Sequence, residues 1–207
     1  MLHSLFFYIF KCHIFNHQIL LPMKIKILFF VFISFLTFQM QAQTTVKDKD
    51  GNEYKTVTIG GKLWMAENLR AKQTKGGVEL ESFVYPEADI TKNGRLYSYE
   101  VAANMCPEGW SLPTEADWDN VFKNIAEVDI VPQLLEGGST GLNLTLSGLR
   151  GEDSGKFDGM GNSGWYWVKS EPEANLGSVK MIVRGNPQVM KALSSKDGGN
   201  SVRCVKD

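Results

Sequence analysis

An apolar segment near the N-terminus limits which part of this chain can fold as a globular domain. Lys24 and Lys26 precede an apolar run, 27–36, and the small, polar stretch 39–43 follows it. A positive start, an apolar centre and a small-residue exit are the order of a secretory signal peptide. The run is shorter than the roughly 20 residues of a transmembrane helix, although a retained membrane anchor is the alternative interpretation. We therefore predict an export signal at the N-terminus.

The predicted signal covers residues 1–42, with cleavage after Ala42. Met23 directly precedes the positive start, and residues 1–22 show no clear periodicity, so we predict that translation begins at Met23. No cysteine occupies the cleavage position, so we expect no lipid attachment there. The remainder, 43–207, has the length of one ordinary domain. We expect it to be secreted and to lie in the periplasm or at the cell surface, without a membrane span after processing.

The composition of 43–207 excludes several kinds of chemistry. All three histidines of the chain lie in the predicted signal region, and two of its three cysteines lie after it. Ser-His-Asp and Cys-His catalysis are thereby excluded, as are zinc sites built on imidazole. The signal region carries three of the 22 basic residues and none of the 23 acidic ones, so the remainder has a formal charge of −4. A mildly acidic domain without a basic cluster is not expected to bind nucleic acid.

The two remaining cysteines are Cys106 and Cys204. In an exported domain, two cysteines most simply form one disulfide, because the environment is oxidising. The alternative is two separate buried thiols.

Short runs of β-prone residues predict strands at both ends of the domain. Asp-Gly and Gly-Asn pairs between Val46 and the alternating run Tyr54–Ile59 predict a hairpin turn, with a loose calcium loop as the alternative. Gly60 and Gly61 predict a second turn before a short strand at 63–66. Four later strands are predicted, at 142–146, 165–168, 179–183 and 201–205.

Two helices are predicted in the first half of the domain. The first spans Leu96–Met105, where apolar residues repeat at helical spacing. The second follows the N-cap candidate Thr114 and has ended before Pro132, whose ring is incompatible with a helix interior. Its apolar stripe is expected to face the core and consists of Trp118, Val121, Phe122 and Ile125.

Glycine dominates one long segment of the second half. Residues 148–164 contain six glycines, and residues 70–94 are also rich in turn-forming pairs. We predict an irregular surface loop at both places. The whole is predicted to be an α+β domain, with two helices, a mostly antiparallel sheet and a long glycine-rich loop.

Four stretches of the sequence occur in an order and spacing that cover nearly all of 43–207. They are Asp50–Gly60, Trp64–Leu69, Gly94–Thr114 and Ser201–Asp207. Together they resemble the Fibrobacter succinogenes major paralogous domain, a family common in exported proteins of Fibrobacter and Bacteroidetes. That family is in turn similar to the C-type lectin-like and formylglycine-generating-enzyme folds.

The resemblance implies a C-type lectin-like domain with a specific disulfide. In such domains a cysteine at the end of the first helix pairs with one in the last strand, and Cys106 and Cys204 hold those places. Calcium-dependent sugar binding uses a Glu-Pro-Asn or Gln-Pro-Asp motif and a later Trp-Asn-Asp. Here 171–173 is only a partial match, Glu-Pro-Glu, and Trp-Asn-Asp is absent, so we predict no cofactor, with calcium as the alternative. Formylglycine-generating activity needs active-site cysteines and is not implied.

Two function classes follow for the exported domain. The first is a non-catalytic module that binds a glycan or an extracellular protein, or serves as a structural or assembly unit at the surface. The alternative is a carboxylate-dependent extracellular enzyme such as a glycoside hydrolase. Its acidic pair would be drawn from Glu108, Glu115, Asp117, Asp153 and Asp158, of which Glu115 and Asp117 are better explained as helix-start charges.

The candidate ligand-binding surface is the glycine-rich loop with its two flanking tryptophans. Loops on a rigid scaffold commonly carry recognition, and exposed aromatic rings suit the faces of sugars. The candidate residues are Arg150, Asp153, Asp158, Asn162, Trp165 and Trp167. The alternative is that one of the alternating tryptophan rings belongs to the core. No catalytic or metal-ligating residue is predicted.

Overall fold

The structure is a computed structural model and describes residues 44–125, 128–170 and 174–207. The predicted export signal, 1–42, and the Glu-Pro-Glu sequence at 171–173 lie outside those ranges. Within them the chain forms ten strands and four helices, which confirms the α+β class. The prediction of one sheet and two helices was too simple, because there are two five-stranded sheets and two additional short helices.

The first sheet brings the start of the domain against its end. Its strand order is β1-β2-β3-β10-β4, and every neighbouring pair is antiparallel. The strands are β1 (Thr45–Lys47), β2 (Glu53–Ile59), β3 (Lys62–Met65), β4 (Trp110–Ser111) and β10 (Val205–Lys206). The two predicted turns, at the Asp-Gly and Gly-Gly pairs, connect β1 to β2 and β2 to β3.

The second sheet is formed by the C-terminal half. Its order is β6-β5-β7-β8-β9, and the β5–β7 pair alone is parallel among its described pairings. The strands are β5 (Ser147–Arg150), β6 (Phe157–Met160), β7 (Ser163–Trp167), β8 (Leu176–Val183) and β9 (Met190–Ser195). The strands predicted at 165–168 and 179–183 are confirmed.

The helices are short and lie in the connections. They are α1 (Ile90–Asn93), α2 (Tyr99–Met105), α3 (Glu115–Lys123) and α4 (Ile130–Leu134). The cap predicted for α3 is present as a reciprocal pair, in which Thr114 Oγ1 accepts from the Asp117 backbone N–H and Asp117 accepts from that of Thr114. Pro132 lies in the first turn of α4, where its missing N–H costs no helical hydrogen bond.

Helix α2 begins three residues later than predicted. The backbone groups of Tyr97 pair with those of Asn200, with N–O distances of 2.9 and 3.0 Å. Leu96 is bonded in the same way to Phe83. Since these groups are already used in bridges to other segments, Leu96 and Tyr97 are extended, and the helix starts after Ser98.

The strand predicted at 142–146 is wrong. Leu142 and Leu144 are buried as the alternation suggested, with 0% and 1% exposure. However, Asn143 has a left-handed backbone (φ 51°), and the carbonyl groups of Leu142 and Asn143 accept hydrogen bonds from the Arg203 side chain. Carbonyl groups directed at a buried guanidinium are not available to a neighbouring strand.

The prediction of a long irregular loop at 148–164 is also wrong. This segment is a β5–β6 hairpin followed by the start of β7, and it lacks strand structure only at 151–156 and 161–162. Gly148 has φ +68°, and a Cβ atom there would lie 2.7 Å from the backbone nitrogen of Met160. Gly148 and Gly164 permit such close approach of neighbouring backbone, whereas Gly151, Gly155 and Gly161 lie in the turns.

The core consists of two hydrophobic clusters supplied by alternate residues of the same strands. Met65 and Trp167 belong to the first cluster, whereas Trp64 and Tyr166 belong to the second. This alternation follows from the two-residue period of β-strands. Trp64, Trp110 and Trp118 are core residues as expected.

The disulfide between Cys106 and Cys204 is present. Cys106 is the C-cap of α2, and Cys204 directly precedes β10, with a Cα–Cα distance of 5.8 Å. Both residues are buried in the first cluster. The pairing is the one that the two-cysteine composition and the family resemblance predicted. Among the described helices, none has the length and apolarity needed to cross a membrane.

Candidate functional site

The residues predicted to bind a ligand do not converge on one place. Asp153 lies in the turn between β5 and β6, whereas Asn162 lies in the turn after β6. The four residues of β6 separate them by roughly 13 Å along the strand. Asp158 is an exposed residue within β6, and one of its carboxylate oxygens accepts from the adjacent Gly159 N–H.

The two tryptophans have different environments. Trp167 is fully buried, its Nε1 donates to the Tyr97 carbonyl at 2.7 Å, and its ring contacts Tyr99 edge-on at 5.3 Å. Its prediction as a ligand-binding residue is therefore corrected, because its ring is buried within the first hydrophobic cluster. Trp165 is half-buried, and its Nε1 donates to Ser163 Oγ.

Arg150 has a structural role at the turn end of the β5–β6 hairpin. Its guanidinium lies 4.0 Å from the centre of the Phe83 ring. Its backbone pairs with Gly199 in both directions. These contacts fasten the hairpin to the segment around Phe83 and to the C-terminal segment at Gly199, and they account for Arg150 without a ligand.

The carboxylates at the start of α3 are engaged in ion pairs. Glu115 Oε2 accepts from Lys180 Nζ at 2.6 Å and from Lys191 Nζ at 3.1 Å. Burial acts to raise the pKa of Glu115, but the hydrogen bonds from the two lysines outweigh it and hold the pKa below its usual value. Asp117 shows the same balance, with burial outweighed by Thr114 and Lys62. Carboxyl groups with lowered pKa values are unsuited to act as general acids.

A cleft of about 280 Å³ lies among the connections of the N-terminal half of the domain. It is lined by Asp50, Asn52, Arg70, Lys72, Ile90 and Arg95. Three segments build it: the turn between β1 and β2, the stretch 68–73 after β3, and the region around α1. We call it the basic cleft, since three of its six lining residues are cationic and one is anionic.

Hydrogen bonds from the β1–β2 turn fix the floor of the basic cleft. Asp48 is buried and accepts from the backbone and side chain of Asn52 and from the Tyr54 hydroxyl. That hydroxyl in turn accepts from the Arg70 backbone N–H at 3.0 Å. Burial, followed by the Asp48 hydrogen bond, raises the pKa of Tyr54, so the phenol stays a neutral donor.

Asp50 attaches the β1–β2 turn to the stretch 68–73. Its Oδ2 accepts from the backbone N–H groups of Lys72, at 2.6 Å, and Gln73, at 3.2 Å. The acidic turn that loosely resembles a calcium loop thus uses its carboxylates to accept from protein N–H groups and from the Tyr54 hydroxyl. Over the described ranges, no group of three or more His, Cys, Asp or Glu residues is arranged to hold a metal ion.

Gly94 determines where Arg95 can lie. It has φ +72°, and a Cβ atom there would come within 2.5 Å of Asn68 Cβ and 2.7 Å of the Leu69 carbonyl oxygen. The Arg95 N–H donates to that carbonyl at 2.9 Å, and Asn68 Nδ2 donates to the Asn93 carbonyl at 2.8 Å. The backbone of Arg95 is therefore held against the 68–73 stretch.

A buried arginine, Arg203, holds the side chain of Asn68 in place. Arg203 is fully buried, and its Nε donates to Asn68 Oδ1 at 2.6 Å. Its other nitrogens donate to the carbonyl groups of Met65, Leu142 and Asn143. Burial lowers the pKa of Arg203 to about 10, which still leaves the side chain charged at neutral pH. Arg203 thus orients the amide that holds Asn93.

The three cations of the basic cleft differ in their bonding. Arg70 is committed to the protein, since it donates to the Glu53 carbonyl at 2.7 Å and to Glu67 at 3.3 Å and lies over the Tyr54 ring. Lys72 and Arg95 form no ion pair with any described residue. These two side chains are the ones available to a ligand.

A protein-family model matches most of this chain. The model of the Fibrobacter succinogenes major domain matches residues 57–206. This chain belongs to that family. No curated protein and no solved structure matches the chain.

The family match includes most of the cleft but not its acidic turn. Arg70, Lys72, Ile90 and Arg95 lie inside the matched range, and the turn that carries Asp50 precedes it. Sequence reasoning missed the cleft because residues 70–94 were predicted only as an irregular loop. A signal was present, since Asp50, Asn52 and Arg95 all occur in stretches that resemble this family.

Proposed function

We propose that this member of the family is an exported, non-catalytic module that binds an extracellular glycan or protein through the basic cleft. The observation that carries the proposal is the pair of cations, Lys72 and Arg95, which line a concave surface without an anionic partner among the described residues. Concave surfaces with a few convergent polar groups are the usual form of small-ligand sites.

We also infer that the domain has a C-type lectin-like fold. The disulfide supports this inference, because it joins the end of α2 to the residue before the last strand, β10. Fold similarity does not specify function by itself. The proposal of binding therefore depends on the cleft and not on the fold.

Export is part of the proposal. A disulfide persists in oxidising compartments such as the periplasm and the extracellular space. The order of charged, apolar and small residues before position 43 supports the same conclusion. We expect the mature protein to be secreted, periplasmic or attached to the cell surface.

The proposed function is tested with a glycan array and polysaccharide pull-downs, using the purified protein with and without a calcium chelator. Lys72→Gln removes a cation of the basic cleft. Trp165→Ala removes the half-buried ring of the surface that the sequence predicts to bind a ligand. We expect Lys72→Gln to weaken glycan binding, Trp165→Ala to retain it, and the chelator to have no effect.

Three results would change the conclusion. Binding lost only with Trp165→Ala would move the site to the β6–β7 region, and chelator sensitivity would require a calcium site. Release of new reducing ends from a bound polysaccharide would show an enzyme. If no glycan binds and no protein is captured from the surface of the source cells, the binding-module proposal is contradicted.

A further inference from the structure

We propose that the basic cleft binds the carboxylate of an acidic sugar, such as a uronic acid unit in a polysaccharide. This inference depends on the proposed function and specifies its ligand class. It rests on the charge of the cleft, the incomplete bonding of Arg95, and the free acceptors beside it.

The charge of the basic cleft is opposite to that of the protein. Its lining residues carry three cations and one carboxylate, whereas the domain after the predicted signal has a formal charge of −4. A local excess of positive charge in a concave surface concentrates anions there. The ligand is therefore expected to carry a negative charge.

Arg95 supplies the most specific observation. Its Nη1 donates to Ser82 Oγ at 3.0 Å, while its Nε is buried and has no hydrogen-bond partner among the described residues. Since Nε has almost no accessible surface, the nitrogen left for a ligand is Nη2, which also has no hydrogen-bond partner among the described residues. A guanidinium fork matches the two oxygens of a carboxylate. The exposed ammonium of Lys72, on the same cleft, adds a second cation without fixed geometry.

Free acceptors in the cleft favour a sugar over an acidic peptide. Asp50 uses Oδ2 for backbone N–H groups, and its Oδ1 has no partner in the described part of the chain. Asn52 donates through Nδ2 to Asp48, and its Oδ1 is likewise unused. These oxygens suit hydroxyl donors beside a single carboxylate. An acidic side chain of a peptide carries no hydroxyl groups beside its carboxylate to donate to these oxygens.

The cleft is also rigidly built before any ligand arrives. Asp48 and Asp50 fix the 70–73 stretch, and Asn68, held by Arg203, fixes the segment that carries Arg95. Preorganised groups lose little entropy on binding. The small volume, about 280 Å³, is at the low end for ligand sites and suits one monosaccharide unit of a longer chain.

The experiment is calorimetric titration of the purified protein with an oligogalacturonate and with the same oligosaccharide methyl-esterified on its carboxyl groups. We expect the acid to bind at least about ten-fold more tightly than the ester, because only the acid forms charge-assisted hydrogen bonds. Raising the salt concentration should weaken binding of the acid and leave that of the ester unchanged.

Variants assign the binding to named residues. Arg95→Gln should weaken binding of the acid about ten-fold or more, and Arg95→Lys should recover only part of it, since lysine keeps the charge but lacks the fork. Lys72→Gln should weaken it several-fold, and its exposed side chain makes misfolding unexpected. Lys169→Gln, at an exposed lysine outside the cleft, is the matched control and should bind like the unaltered protein.

Each opposing outcome has a separate meaning. Equal binding of acid and ester would overturn the carboxylate proposal and leave the glycan-binding function standing. Tighter binding of polyglutamate than of oligogalacturonate would show an acidic peptide site. If Lys72→Gln and a folded Arg95→Gln protein both bind the acid as tightly as the unaltered protein, the binding site lies elsewhere. No binding of acid, ester or any arrayed glycan would contradict the proposed glycan binding as well.

Discussion

At the scale of single residues, the buried Arg203 has the widest structural effect. It lies beside apolar neighbours, yet every nitrogen of its guanidinium has an acceptor, and each acceptor is an amide or backbone oxygen. A buried charge is tolerable only when it is fully hydrogen-bonded. One of the acceptors is Asn68. The hydrogen bond from Arg203 therefore also fixes the position of the segment that forms the basic cleft.

A second buried cation gives the first residue-scale prediction. Lys180 has 1% exposure, and its ammonium is paired at 2.6 Å with Glu115, whose side chain is 38% exposed. Glu115→Gln should lower the free energy of unfolding at pH 7 by about 1–3 kcal/mol, because it leaves a buried ammonium without a counter-charge and solvent at Glu115 only partly replaces it. Urea denaturation measures the change.

The pH dependence of stability provides the control for that prediction. The pKa of Glu115 is lowered in the folded protein, so its stabilisation is complete above the unfolded value of about 4.5 and is lost as the pH falls through the lower folded value. Glu115→Gln should therefore lose part of the stability difference between neutral and acid pH. The role given to this pair would be contradicted if Glu115→Gln left the dependence of stability on acid pH unaltered. It would also be contradicted if adding Lys180→Met to Glu115→Gln recovered none of the lost stability.

At the scale of elements, glycine positions decide how the second sheet is assembled. In the 148–164 segment, β5 approaches β6 on one side and β7 on the other, and its pairing with β7 is at Gly148 and Gly164. A side chain at Gly148 would meet backbone atoms of β6. Composition alone suggests a loop here, but Gly148 and Gly164 serve contacts between strands.

Two glycines in this segment form a matched pair for the element-scale prediction. Both have positive φ, +68° at Gly148 and +79° at Gly161, but a Cβ at Gly161 would have no atom within 4 Å. Gly161→Ala should cost about 1 kcal/mol from backbone strain alone, whereas Gly148→Ala should cost at least about 3 kcal/mol from the added backbone clash. Thermal unfolding compares them, and equal losses would show that strand approach is not the reason for Gly148.

At the scale of the whole molecule, the disulfide connects the two halves of the domain. Cys106 and Cys204 are 98 residues apart in sequence and lie together in the first hydrophobic cluster. The cross-link thereby restricts a long loop of the unfolded chain. It also holds the end of α2 next to the first sheet, where β10 lies between β3 and β4.

The disulfide gives the whole-molecule prediction. Replacing both cysteines by serine should lower the free energy of unfolding by about 4 kcal/mol, because the unfolded chain regains the freedom of a loop of nearly one hundred residues. Denaturation of the oxidised protein and of the double variant measures this loss. Non-reducing mass spectrometry of the exported protein supplies the control, and two free thiols there would contradict both the bridge and the stability difference.

Much of the fold could be predicted from local sequence signals. The hairpin after β1, the cap of α3, the strands at 165–168 and 179–183, and the tryptophan core all follow from patterns that span fewer than ten residues. Capping, turn chemistry and alternation act between near neighbours, so the sequence displays them directly. The strand predicted at 142–146 is wrong because the distant Arg203 is hydrogen-bonded to the carbonyl groups of Leu142 and Asn143. Of the strand predicted at 201–205, only Val205 lies in β10. The loop predicted at 148–164 is wrong because glycine is compatible there with strands.

The sequence by itself determined the α+β class, the family, the disulfide partners and the lack of histidine after position 42. The tertiary structure alone decided that Trp167 is buried, that the glycine-rich segment forms strands, and that Asp50, Lys72 and Arg95 meet in one cleft. The physical reason is distance along the chain. The cleft brings together residues more than forty positions apart. Their positions depend on Arg203, near the opposite end of the domain, because its buried charge is hydrogen-bonded to Asn68.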